Sequence, residues 1–124
     1  ADTQVSKAAG VDRLYELPQG AIAMKVIADL CVVPMGVGVS VSKYVAICEQ
    51  VLSNADLNPH LHAYGTNIEG EWEDVFVAIR QCHEEIHRLG APRISTTLKF
   101  GTRIDRDQTM QEKVTSVEVK LREP

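Results

Sequence analysis

KVIADLCVVPMGVGVSVSKYVAICEQVL, residues 25–52, reads as a strand, a loop and a helix in immediate succession, and this order decides the fold. Lys25 to Val33 is rich in β-formers and stops at Pro34, Gly36 and Gly38, as a central strand running into a loop does. Beyond the loop, Tyr44, Ile47, Cys48, Val51 and Leu52 recur at helical spacing until Ser53 and Asn54 break it. Ser40 and Ser42 offer the hydroxyls that a helix N-cap uses.

Toward the C-terminus, His60 to Tyr64 reads as a short strand that turns at Gly65 into another, Thr66 to Glu71. Val75, Ile79, Cys82, Ile86 and Leu89 then lie on one helical face, stopped by Gly90 and Pro92. Arg93 to Ile104 alternates as a long final strand. Past Asp105 and Asp107, each a candidate cap, Met110, Val114, Val117 and Leu121 trace a further helical stripe. The order β-α-β-β-α-β is the split βαβ motif. It predicts an α+β, ferredoxin-like sandwich whose four-stranded antiparallel sheet is covered on one face by two helices, with an additional C-terminal helix. Residues 1–23 carry no sustained period and Met24 is a candidate start. We therefore read 1–23 as a leader or extension outside the core, and 24–124 as a single domain.

The 124 residues, 44% hydrophobic and 24% charged, suit one packed core and neither disorder nor a fibre. A net charge of −4, without a run of basic residues, argues against a nucleic-acid partner. No apolar run reaches the roughly 18 residues of a membrane span, and no signal peptide is evident, so a soluble cytoplasmic protein is expected. Cys31, Cys48 and Cys82 stand far apart among apolar neighbours, as buried free thiols of a reducing compartment do.

Alternation along the strands assigns the faces. Val26, Ala28, Leu30 and Val32 belong under the helices, which turns Asp29, Cys31 and Val33 outward. By the same rule Thr66, Ile68, Ile94, Leu98 and Phe100 point inward, while Asn67, Glu69, Ser95, Thr97 and Lys99 point outward with His60, His62 and Tyr64. A ferredoxin-like sheet sets the 66–71 strand beside the first, so Glu69 and Asn67 meet Asp29 and Cys31 on the open face. Taken singly, each group suits a solvated sheet face. Their convergence favours a face covered by a second subunit, with a cleft left for a polar ligand, hence a homo-oligomer. Asp29, a carboxylate in a strand centre, needs a partner such as Lys99 or a ligand amine.

His83-Glu84-Glu85-Ile86-His87 fits the HExxH pattern of zinc hydrolases. It lies on the flank of its helix's apolar stripe and no third ligand follows, so we read it as a chance match. His60 and His62 share a strand face but lack further ligands for a metal. The glycines of PMGVGVS, residues 34–40, fit neither nucleotide-loop signature; the loop instead leads to a helix start where Ser40, Ser42 and backbone N–H groups can receive an acceptor atom or an anion. With no activated serine or cysteine and no cofactor motif, a binding protein is expected rather than an enzyme.

PMGVGVSVSKYVA (34–46), YGTNIEGEWEDV (64–75) and RISTTLKFGTRID (93–105) resemble the thiamine-binding protein family of small ferredoxin-like domains. The likeness covers about residues 24–106, and SVSKYV and IEGE are its most specific pieces. The resemblance implies subunits pairing through open sheet faces into homodimers and homotetramers, and binding of thiamine or its hydroxymethylpyrimidine part without turnover. Glu69 would engage the aminopyrimidine, Asn67, Ser40, Ser42 and Thr97 would add directional hydrogen bonds, and Tyr64 or Trp72 would stack on a ring. FGTRIDRD (100–107) departs from the family's usual final strand, and residues 1–23 have no family counterpart. The competing readings are a structural or regulatory oligomer without a small ligand, and a metal-dependent hydrolase built on His83, Glu84 and His87.

Overall fold

The computed structural model describes residues 3–6, 13–16 and 19–124. Two short strands, β1 (Thr3–Ser6) and β2 (Arg13–Glu16), pair with each other in a separate two-stranded sheet. The rest of the expected leader before residue 19 lies outside the described residues. The chain then runs β3 (Lys25–Met35), α1 (Ser42–Asn54), β4 (His60–His62), β5 (Gly65–Glu71), α2 (Trp72–Arg88), β6 (Arg93–Thr102) and α3 (Met110–Arg122). The four-stranded sheet has the order β4-β5-β3-β6, antiparallel throughout, which is the ferredoxin-like arrangement with an added C-terminal helix.

β3 is central because its even positions bury fully: Val26, Ala28 and Leu30 join Ile68 of β5 beneath the helices. Against them pack Tyr44, Cys48, Val51 and Leu52 of α1 and Val75, Ala78, Cys82 and Ile86 of α2. Thr66, the buried polar side chain on this face, donates to Glu49 Oε2 of α1 at 2.8 Å, so its hydroxyl is satisfied. Trp72, Phe76 and Phe100 form a tilted and edge-to-face aromatic cluster between α2 and β6, with centroids 4.8 to 5.7 Å apart.

Element ends differ from the sequence expectation where side chains found other partners. Neither Ser40 nor Ser42 caps α1: the N-cap is Val41, without a side-chain bond, and its carbonyl accepts from Tyr44 and Val45 N–H. Thr109 caps α3, its Oγ1 accepting from Glu112 N–H at 3.1 Å, because Asp105 and Asp107 are drawn off to Arg103 and Lys25. Pairing of His62 with Gly65 closes the hairpin around Ala63 and Tyr64, so Tyr64 sits in the turn and not on a strand. Leu89 falls at the C-cap of α2 and is exposed, and Ala78 takes a place in the buried stripe. Among the described residues, no helix is long and apolar enough to cross a membrane.

Candidate functional site

Strand register sets the open face in rungs. Lys25 stands beside Glu71; Ile27 lies between Glu69 and Gly101; Asp29 lies between Asn67 and Lys99; Cys31 lies beside Thr97. β4 adds His60 next to Asn67 and His62 next to Gly65. The outward placement expected for Asn67, Glu69, Thr97 and Lys99 therefore holds, and three of the carriers of polar chemistry, Asp29, Asn67 and Lys99, share one rung.

The partner of the strand-centre carboxylate is a histidine. His62 Nδ1 accepts from the Tyr64 N–H at 3.2 Å, which leaves the proton on Nε2, and Nε2 donates to Asp29 Oδ1 at 2.6 Å. Lys99, one of the two partners expected, the other being a ligand amine, stands opposite Asp29 in register but forms no ion pair with it. Gly65 makes the histidine contact possible. A β-carbon there would stand 3.3 Å from Asp29 Oδ1, 3.4 Å from the His62 ring and only 2.7 Å from the Leu30 carbonyl oxygen. Asn67 Nδ2 reaches the same Oδ1 at 3.5 Å, a long contact, and Asp29 Oδ2 has no hydrogen-bond partner among the described residues.

Glu69 does something the sequence did not announce. Its Oε1 accepts from the Met110 N–H at 3.0 Å and its Oε2 from Asn58 Nδ2 at 2.7 Å. Asn58 in turn meets His60 Nε2 at 3.2 Å. A carboxylate at a helix N-terminus satisfies an orphan N–H and the positive end of the helix dipole, so Glu69 pins the first turn of α3 to the open face.

That anchor creates a cleft. A cavity of 550 Å³ lies between the sheet and α3, walled by Ile27, Asp29, Asn67, Lys99, Met110, Lys113 and Val114, with Gly101 and the strands at Ala28 and Phe100 as floor. Its size falls in the range of small-molecule sites, and it combines apolar walls with a few convergent polar groups. Glu69 builds the wall and is not part of the lining, and Thr97 is one rung away. Tyr64, 87% exposed, borders a smaller, mainly apolar pocket of 220 Å³ between α1 and the β4–β5 hairpin. Ser40 and Ser42 are exposed at the start of α1 and line neither cavity. Trp72 is committed to Phe76 and Phe100. Met110, Lys113 and Val114 were missed as site residues, since the apolar stripe of α3 signals a helix but not where it docks.

The HExxH match holds no metal geometry. His83 Nε2 meets Thr96 Oγ1 at 2.6 Å, His87 Nδ1 meets the Ala91 carbonyl at 2.8 Å, and Glu84 faces Arg80. Burial, and next the neighbouring His87, lower the pKa of His83. Among the described residues no group of three potential metal ligands converges.

A family model described as thiamine-binding protein matches residues 28–118. UPF0045 protein sll0230 of Synechocystis sp. is 64% identical over 99 residues, covering 80% of this chain and 82% of the relative. UPF0045 protein ECM15 of Eremothecium gossypii is 45% identical over 96 residues, covering 77% and 91%. Among solved structures, hypothetical protein MJ1052 of Methanocaldococcus jannaschii superposes with a TM-score of 0.71 at 31% identity, covering 76% of this chain and 96% of its own. A Thermotoga maritima protein named for thiamine biosynthesis or salvage shares the fold, with a TM-score of 0.64 at 19% identity over 75% of this chain and 98% of that one. The matched span begins inside β3 and ends inside α3, taking in every wall of the open-face cleft but its edge at Ile27, and on this evidence the chain belongs to the thiamine-binding protein family.

Proposed function

We propose that the chain binds thiamine, or the hydroxymethylpyrimidine part of it, in the open-face cleft and releases it unchanged. The observation that carries this reading is the Asp29–Asn67 rung facing an apolar wall of Ile27, Met110 and Val114. An aminopyrimidine presents an exocyclic amine beside ring nitrogens. The amine suits Asp29 Oδ2, which has no partner among the described residues, and a ring nitrogen suits Asn67 Nδ2, whose 3.5 Å contact is weak enough to yield. Turnover finds no support in the neighbouring groups. Both nitrogens of His62 are engaged, one by the Tyr64 N–H and the other by Asp29. The exposed apolar stripe of α3 beside the cleft supports self-association into a dimer or tetramer, in which a second copy covers this face.

Calorimetric titration with thiamine and with hydroxymethylpyrimidine tests the reading. Wild type should bind. Asp29→Asn and Asn67→Ala should each weaken binding by about 1–3 kcal/mol, the range for a hydrogen bond to a charged or buried group. No heat from the wild type at millimolar ligand would reject the reading in favour of an oligomer that carries no small molecule.

A further inference from the structure

The open-face cleft does not end at its own wall. A second cavity of 280 Å³ adjoins it and shares Ile27, Gly101 and Lys113 with it. Its remaining walls bring Lys25, Arg103 and Arg106 together against one carboxylate, Asp107. The sequence shows no basic run, and the chain as a whole carries a charge of −4, yet four of its 13 basic residues line this one space. Lys25 is paired with Asp107 at 3.0 Å and Arg103 with Asp105 at 2.6 and 2.9 Å, whereas Arg106 and Lys113 have no ion-pair partner among the described residues. The neck between the two cavities is the Ile27–Gly101 rung. Gly101 is in a strand, its backbone is not in the left-handed region, and a β-carbon on it would meet nothing within 4 Å. Glycine is therefore not required there by the backbone; its effect is to leave the passage open.

We propose that the ligand of this site is phosphorylated: a phosphate ester of the heterocycle, with the ring on the Asp29–Asn67 rung and the phosphate beyond Gly101 among Lys113, Arg106, Arg103 and Lys25. This rests on the reading of the open-face cleft given above. The rungs of Asp29 and Ile27 are two residues apart on β3, about 7 Å at the usual strand rise, so a substituent on the ring reaches the neck directly. Charge supports the assignment. Lys99 and Lys113 both line the first cavity, where the cationic thiazolium of bare thiamine would face two ammonium groups. A phosphate on the same molecule offsets that repulsion and forms charge-assisted hydrogen bonds with Lys113 and Arg106.

The test is a titration of the 124-residue chain with thiamine and with thiamine monophosphate, at low and at physiological ionic strength. The phosphorylated ligand should bind about tenfold or more tightly, with an advantage that shrinks as salt rises. Arg103→Gln together with Arg106→Gln, both of which line the second cavity and not the first, should erase most of that advantage and leave the affinity for thiamine unchanged. Gly101→Val, which adds a strand-favouring side chain in the neck, should weaken binding of the monophosphate more than that of thiamine. Equal affinities for the two ligands in the wild type would overturn the phosphate assignment while the cleft reading stands. Binding of neither would overturn both, and retention of the advantage in the double variant would place the phosphate elsewhere.

Discussion

Gly65 shows how much of the site one missing side chain controls. Its backbone approaches the Leu30 carbonyl so closely that a β-carbon would stand at 2.7 Å, and the space above it lets His62 reach Asp29. The hairpin and the open face are thus coupled through a residue with no side chain of its own. Gly65→Ala should lower stability by about 1–3 kcal/mol, because the clash is with backbone that cannot rotate away. Chemical denaturation measures the loss, and the imidazole N–H signal of His62 should change as its bond to Asp29 breaks. An unchanged denaturation midpoint would mean that the hairpin shifts freely. The glycine itself was legible as a turn in the sequence, but its role as a window between His62 and Asp29 was not, since nothing local records which strand passes beneath it.

At the scale of elements, α3 holds to the sheet chiefly by its first turn. Met110 is buried, while Val114, Val117 and Leu121 are exposed, so the anchor is local: the Glu69 carboxylate on the Met110 N–H, with Thr109 closing the cap. Replacing Glu69 by alanine removes that acceptor and also leaves Asn58 Nδ2 without one. The expected outcome is a loss of about 1–2 kcal/mol, in line with loss of a helix cap, and faster amide exchange over Met110–Val114. Ligand affinity should fall with it, since the same turn walls the cleft. Unchanged exchange in that segment would show that something other than Glu69 seats the helix. Sequence periodicity placed Glu69 on the open face and α3 in its span, and the family resemblance implied a ligand for the carboxylate; spacing along the chain cannot show that a helix start 41 residues away arrives above it.

For the whole molecule, an unpartnered apolar stripe runs along α3 beside the cleft. Val117 is 60% and Leu121 79% exposed on one side of α3, and they extend the apolar wall begun by Val114. A second copy laid on this face would remove that surface from water and close the cleft from above. Light scattering coupled to gel filtration should therefore give a mass that is a multiple of the 13.7 kDa chain, and Val117→Glu with Leu121→Glu should shift it toward the monomer. A monomeric wild type at tens of micromolar would overturn the expectation. Thiamine binding should weaken in the double variant if the second copy completes the enclosure.

Local backbone geometry was enough to give the strands and helices from Lys25 onward and the face taken by most of their side chains, though not the β1–β2 pair or the place of Tyr64 in the hairpin turn. Val26, Ala28 and Leu30 are buried and Asp29 is not because a strand alternates, and Val75, Cys82 and Ile86 line up because a helix turns every 3.6 residues, properties that belong to short stretches of chain. Contacts between remote groups obey no such period. The bond from His62 to Asp29 spans 33 residues, that from Glu69 to Met110 spans 41, and Lys25 meets Arg103, Arg106 and Lys113 around a single cavity. These depend on strand order, on register and on where α3 comes to rest, so only the folded chain could decide them.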